Sequence, residues 1–277
     1  ILAVGVERMA RRKGVVRRLV AAEALGSTTV ILTDKTGTLT TARMEIGHIV
    51  PCTDVSEKNI LTHALRNANV LIENPNDPPM QWRIHGRFIE TSLVRSAPSH
   101  GLTYRFTEPL AQVPFNAAHK YSASLIHENN QLILTFVGAP DLLVKRSHLS
   151  AEKQQDILTT IEHYASQGEL VLGVAHKILA TLDEFELAQH THITNLDFEG
   201  IITLRDPIRP GVAEALHKVA AEGIRTVLLT GDHVGTALAV AEAVGIKVRP
   251  DQVIEADELR TLDDITLQRR CSDFAVI

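Results

Sequence analysis

The chain has 277 residues, 44% of them hydrophobic and 22% charged, a globular composition with enough apolar material for one or two packed domains. Aromatic residues make up only 4%, so the core must be built mostly from Val, Ile, Leu and Ala, and the net charge of −5 argues against a general nucleic-acid binder. Cys52 and Cys271 have neither metal-ligand spacing nor a disulfide framework, which fits a reducing compartment, and no apolar run approaches the roughly 18 residues that span a bilayer.

In chain order, "ILAVGV" is followed by the basic run "ERMARRKGVVRR". A signal peptide has the reverse order, whereas apolar then basic is the pattern at the cytoplasmic end of a membrane helix. A solvated basic helix at a domain edge has the same composition. With no initiator Met and a last stretch, "SDFAVI", that reads as an unfinished strand, the chain is expected to be part of a larger membrane protein, with residues 1–22 as a stalk after a membrane helix.

Next, "TTVILTD" (Thr28 to Asp34) reads as a buried strand that ends abruptly in a carboxylate. Far downstream, "PGVAEALHKVAAEG" reads as a helix with Val212, Ala215, Leu216 and Val219 on one buried face. It leads to the strand "IRTVLLT" (Ile224 to Thr230), the helix "GTALAVAEAVG" and a final strand "DFAVI". Strands alternating with helices imply a parallel sheet, and ligands in such folds sit at the carboxyl ends of the strands. That edge carries Asp34 and also Thr230, Gly231 and Asp232.

The intervening region differs. "YSASLIHENNQLILTFVG" reads as a hairpin turning at Asn129-Asn130, and "SAEKQQDILTTIEHYASQG" as a helix capped by Ser150 with an apolar stripe of Ile157, Leu158 and Ile161. "ELVLGVAH" and "NLDFEGIITL" read as strands, and "ENPNDPPMQWR" as a loop. The fold class expected is α/β, with a discontinuous parallel-sheet domain (23–43 and 200–277) into which an α+β antiparallel-sheet domain (44–199) is inserted.

A carboxylate at a strand end can act as nucleophile, metal ligand or both, and the hydroxyls and Gly37 beside Asp34 let backbone approach a phosphate. Asp34 and Asp232 could each instead merely cap a helix. His190 and His192 in "QHTHI" are a weak metal signal, since spacing of two without a third close ligand is not a site.

"DKTGTLT" (Asp34 to Thr40) matches the phosphorylation motif of the P-type ATPases letter for letter. "DPIR" (Asp206 to Arg209) resembles that family's hinge motif and "TGD" its second phosphate loop. "LGSTTVILTDKTGTLT" and "GDHVGTALAVAEAVGI" are similar to the calcium and sodium/potassium branch of these cation pumps, which belong to the haloacid dehalogenase superfamily.

The resemblance implies that Asp34 attacks the γ-phosphate of ATP and becomes an aspartyl phosphate, with Thr36 and Asp34 holding Mg²⁺. Thr38, Thr230 and Gly231 would bond the phosphoryl oxygens, Asp232 would sit near the metal and ribose, and Asp206 and Arg209 would work at the hinge. "PFNAAHKYS" resembles the adenine-binding stretch, with Phe115 on the base and Lys120 near it. "GRFIETSL" resembles the stretch whose glutamate, here Glu90, meets the adenine amino group, and Gly138 of "VGAPD" belongs to the same site.

Three positions depart from the family. Val137 stands where Lys is usual, Leu170 where Arg is usual, and Arg87 where an acidic residue is common. Motifs supplying a further Mg²⁺ carboxylate and a phosphoryl-binding lysine are expected after residue 277, so this chain alone is expected to turn over ATP very slowly or not at all. The parent is expected to be integral to a membrane, with this part on its cytoplasmic side and the transported cation passing through helices not in this chain. A soluble phosphatase of the same superfamily and a degenerate nucleotide-binding module remain open. Thr36 speaks against the phosphatase, which usually carries Asp two residues after its nucleophile as acid/base.

Overall fold

The computed structural model describes residues 2–11, 14–15, 17, 25–104, 108–182, 194–232 and 234–277. They form two compact units, residues 1–40 with 208–277, and residues 41–207.

The first unit opens with α1 (Leu2–Arg11), an amphipathic helix with Arg8 and Arg11 in its last turn and an exposed Arg11–Glu7 pair at 2.7 Å. No helix among the described residues is long and apolar enough to cross a membrane. β1 (Val30–Asp34) follows.

In the second unit, β2 (Glu45–Pro51) leads to α2 (Glu57–Arg66), whose first turn is closed by the Ser56 hydroxyl accepting from the Asn59 amide at 3.2 Å. A short antiparallel pair, β3 (Val70–Ile72) and β4 (Ile84–Gly86), flanks the Pro- and Asn-rich loop. There the Trp82 indole donates to the Asp77 carbonyl at 2.9 Å and the Arg83 amide to the Asn74 side chain at 2.7 Å.

Then come α3 (Phe88–Ser96), β5 (Ala111–Asn116), β6 (Tyr121–Glu128) and β7 (Gln131–Gly138). The β6–β7 hairpin turns at Asn129 and Asn130, both with positive φ (49° and 65°), the conformation that asparagine tolerates and a two-residue turn requires. α4 (Pro140–Arg146), α5 (Ala151–Ser166), β8 (Leu170–Leu179) and β9 (Asp197–Arg205) complete the unit. The Ser150 hydroxyl caps α5 by accepting from the Lys153 amide at 3.3 Å. His190 and His192 lie outside the described residues.

Six strands pair in the order β2-β9-β8-β7-β6-β5, every neighbour antiparallel. Period-two alternation sends successive residues to opposite faces. Val137, Leu172, Val174 and Ile202 pack under α2 and α3 with Ile60, Leu61, Leu93 and Val94. Phe136, Val171, Ala175 and Ile201 pack under α4 and α5 with Leu143, Val144 and Ile157. The sheet is therefore covered on both faces, which is why its strands read as nearly continuous apolar runs. The whole of β9, on both sides of residue 200, belongs to this sheet through its ladders with β2 and β8.

The chain then returns to the first unit with α6 (Val212–Ala221), β10 (Arg225–Leu229), α7 (Val234–Ala243), α8 (Ala256–Thr261) and α9 (Asp264–Arg270). β1 and β10 are parallel, in register from Val30 opposite Arg225 to Asp34 opposite Leu229. The protein is thus α/β, with a parallel sheet and a separate antiparallel six-stranded sheet.

Three expectations are corrected. β1 is not a buried strand: Leu32 is 62% exposed, because among the described residues β1 pairs along one edge only. No residue of α6 is fully buried and Ala215 is exposed; Val212 and Leu216 pack against the core made by Leu39, Leu228 and Ala241. "DFAVI" makes single-residue bridges from Val276 to Leu228 and Val253 in place of a strand. The amides of Ala275 and Val276 both donate to the Gln252 carbonyl, at 2.8 and 3.2 Å, which breaks the even spacing a ladder needs.

Candidate functional site

In the first unit, β1 delivers Asp34 to its carboxyl end, and the chain turns at once. Thr36 (φ −74°, ψ 120°) and Gly37 (φ 78°, ψ −9°) have the dihedrals of the two central residues of a type II turn, whose second position needs positive φ and hence glycine. The turn is fastened from inside. The Thr40 amide and hydroxyl both donate to the Lys35 carbonyl, at 3.1 and 3.2 Å, and the Gly37 amide donates to the Thr40 hydroxyl at 3.2 Å. The outer side is held by Arg209, whose guanidinium donates to the Gly37 carbonyl at 2.7 Å and whose amide donates to the Leu39 carbonyl at 2.8 Å. Asp34 makes no capping bond to the turn, and Asp34, Thr36 and Thr38 are exposed while Lys35, Leu39 and Thr40 are buried.

Because Asp34 stands opposite Leu229, the next residues of the second chain segment, Thr230, Gly231 and Asp232, lie at the same sheet edge. The Asp232 amide donates to the Thr230 hydroxyl at 3.2 Å, and the Asp232 carboxylate pairs with the Lys35 ammonium. This unit thereby gathers Asp34, Thr36, Thr38, Thr230, Gly231, Asp232 and Arg209. Lys35 and the Arg209–Gly37 bond were not singled out in the sequence; the only signal for them was cationic residues inside two motifs. Asp206 belongs to the other unit, where its carboxylate accepts from the Thr41 hydroxyl at 3.3 Å.

In the second unit, a cavity of about 480 Å³ opens between α2, α3 and the sheet. Glu90, Phe115, Lys120 and Gly138 all line it, as do Arg87, Val137 and Leu170. β5 is an edge strand whose ladder breaks between Val113 and Asn116, at Pro114, and Phe115 stands there 43% exposed. Arg87 donates to the Phe115 carbonyl at 3.1 Å and so ties α3's start to that rim.

Lys120 has left-handed backbone (φ 59°), held by its amide donating to the Asn116 carbonyl at 2.7 Å and its carbonyl accepting from the Ala139 amide at 2.8 Å. A Cβ on Gly138 would stand 2.3 Å from that Lys120 carbonyl oxygen, so only glycine permits the approach. Burial pushes the Glu90 carboxyl above its usual range, opposed by the nearby Arg87 charge and by backbone N–H donors from Asn69 and Arg87. Tyr104 is raised in turn by its own burial and by the Glu90 charge.

The family described as "P-type ATPase, cytoplasmic domain N" matches residues 56–211, more than half of the chain. The chain belongs to the P-type ATPase family. Among its relatives, calcium-transporting ATPase 1 of Lactococcus lactis is 30% identical over 100% of this chain and 33% of that protein. The human sodium/potassium-transporting ATPase subunit alpha-3 is 29% identical over 92% of this chain and 30% of that protein. The chain thus spans about a third of the length of the curated relatives it matches. The crystal structure of a zinc-transporting PIB-type ATPase superposes with TM-score 0.61 at 24% identity, covering 90% of this chain and 33% of that one, which shows a shared fold. The matched region contains the whole cavity of the second unit, and this part of the P-type ATPase resembles the family's nucleotide-binding domain.

Proposed function

We propose that this chain is the ATP-binding and phosphoryl-accepting part of an ATP-driven cation pump on the cytoplasmic side of a membrane. The observation that carries the reading is the cavity in which Glu90, Phe115, Lys120 and Gly138 converge although they come from three separate stretches of sequence. Its apolar walls suit a purine, Phe115 offers a stacking face, and Glu90 offers an acceptor for the adenine amino group. The left-handed Lys120, held in place by the close approach at Gly138, presents a cation beside the base.

The chemistry is assigned to the turn after β1. An Asp34 oxygen attacks the γ-phosphorus in line; the new O–P bond forms as the bond to the β,γ-bridging oxygen breaks, and ADP leaves with that electron pair. Thr38, Thr230 and the Gly231 amide donate to the phosphoryl oxygens, and donors of this kind contribute about 3 kcal/mol each when pre-placed. The Lys35–Asp232 pair ties the two loops so that these donors stay beside Asp34. The donor set is all oxygen, the Asp34 carboxylate and the Thr36 carbonyl, which fits Mg²⁺; bound there, it offsets charge on the phosphoryl group. Thr36 has no basicity at neutral pH, so the aspartyl phosphate persists, as a pump requires and a phosphatase does not.

The test of the cavity is a titration of the 277-residue chain with ATP, followed by NMR. Shifts should centre on Glu90, Phe115 and Lys120, and Phe115→Ala should weaken binding about five- to 150-fold, from the worth of one base–aromatic stack. No shift at millimolar ATP, or the same affinity in Phe115→Ala, contradicts the assignment.

A further inference from the structure

On the sheet face beneath α2, away from the motifs above, two histidines and one glutamate meet. Glu199 lies on β9 where the ladder with β8 slips: Val174 pairs with Gly200 and Ala175 with Phe198, leaving Glu199 as the extra residue of a bulge. Bulges re-aim side chains, and this carboxylate is turned inward until only 1% of the residue is exposed. His63 of α2 and His176 of β8 each place Nδ1 2.5 Å from the same oxygen, Glu199 Oε1. The two imidazole centroids are 5.5 Å apart, and the three ligand atoms all lie within 4.8 Å of one another.

Two further observations point to an ion. Glu199 Oε2 is buried with no hydrogen-bond partner among the described residues, although a buried carboxylate normally satisfies both oxygens. Behind His176, Asp197 Oδ2 lies 3.9 Å from Nε2, on the far side of the ring from the cluster, where metal-binding histidines usually have a carboxylate. Asp197 is itself held by His148 at 3.1 Å. The His63 and His176 side chains are 17% and 22% exposed, so a small ion has a way in.

We propose that His63, His176 and Glu199 form a binding site for a divalent transition metal, Zn²⁺ being the best fit. Two imidazole nitrogens and one carboxylate oxygen are a three-ligand zinc set with a fourth position for water. Nitrogen donors disfavour Mg²⁺ and Ca²⁺, which take oxygen. Bound there, the ion cross-links α2 to β8 and β9, and α2 also supplies Ala64 to the wall of the nucleotide cavity, with Asn67 and Ala68 just beyond its end.

The test uses the chelator-treated 277-residue chain, titrated with Zn²⁺ alone against a chromophoric competitor, and with Co²⁺ for its visible spectrum. One equivalent of Zn²⁺ should bind at micromolar concentration or tighter, and Co²⁺ should give the intense bands of a four-coordinate site. His63→Gln, His176→Gln and Glu199→Gln should each weaken binding about 100-fold or more, while replacing His190 and His192 by Ala should leave it unchanged. If those ligand variants do not fold, Asp197→Asn, at the rim, serves alone and should weaken binding about tenfold. Absence of saturable Zn²⁺ uptake by the wild type, or uptake of equal affinity in the folded variants, overturns the site.

Discussion

Lys35, buried at the end of β1, forms an ion pair with Asp232 in the loop that follows β10. The pair is asymmetric, with the lysine side chain 9% exposed and the aspartate 35%. Removing the aspartate leaves a buried ammonium without its carboxylate, and such losses cost about 3–5 kcal/mol when both partners are buried. The partial exposure of Asp232 lets water compensate in part. Asp232→Ala should therefore destabilise the first unit by about 1–3 kcal/mol in urea unfolding. Adding Lys35→Met should restore much of it, as in a coupled double-mutant cycle. Equal stability of wild type and Asp232→Ala would show that the pair does not hold the loops.

Leu170 is 40% exposed on the wall of the cavity lined by Glu90, Phe115 and Lys120. A guanidinium there would gain a charge-assisted bond to a phosphate, worth roughly 1.5–3 kcal/mol. Leu170→Arg is expected to tighten ATP binding about tenfold or more by calorimetry, and more for ATP than for adenosine. An unchanged ratio of the two affinities would place the phosphates elsewhere.

The Glu90 carboxyl titrates above its usual range in the folded chain because burial disfavours its charged form. Its contribution to stability is then present below the unfolded carboxyl range and is lost as pH rises through the folded value. Glu90→Gln, which cannot ionise, should gain stability relative to wild type between about pH 4 and pH 7. The check is the difference in unfolding free energy at those two values; a difference that is constant or of opposite sign contradicts the burial argument.

Local chemistry was the legible part of this protein. The Asn-Asn hairpin and the Ser150 cap are each fixed by the residues themselves, and the alternation of strands with helices placed Asp34 and Thr230 to Asp232 at one sheet edge. What depends on how many neighbours a strand acquires was not legible: "TTVILTD" reads as buried, yet Leu32 faces out because β1 has one pairing partner among the described residues. Pairings across long separations were hidden for the same reason. Lys35 meets Asp232 only through the β1–β10 register. His63, His176 and Glu199 meet only through a bulge, whereas attention to adjacent histidines in sequence led to His190 and His192.

Asp34, as proposed above, accepts the phosphoryl group and becomes an aspartyl phosphate. The direct measurement is brief incubation of the full-length protein with γ-labelled ATP and Mg²⁺, followed by an acid quench and hydroxylamine treatment. Label should survive acid, be released by hydroxylamine, map to the peptide containing Asp34, and disappear in Asp34→Asn while that variant still binds ATP. Label that persists in Asp34→Asn, or that maps to another residue, contradicts that assignment.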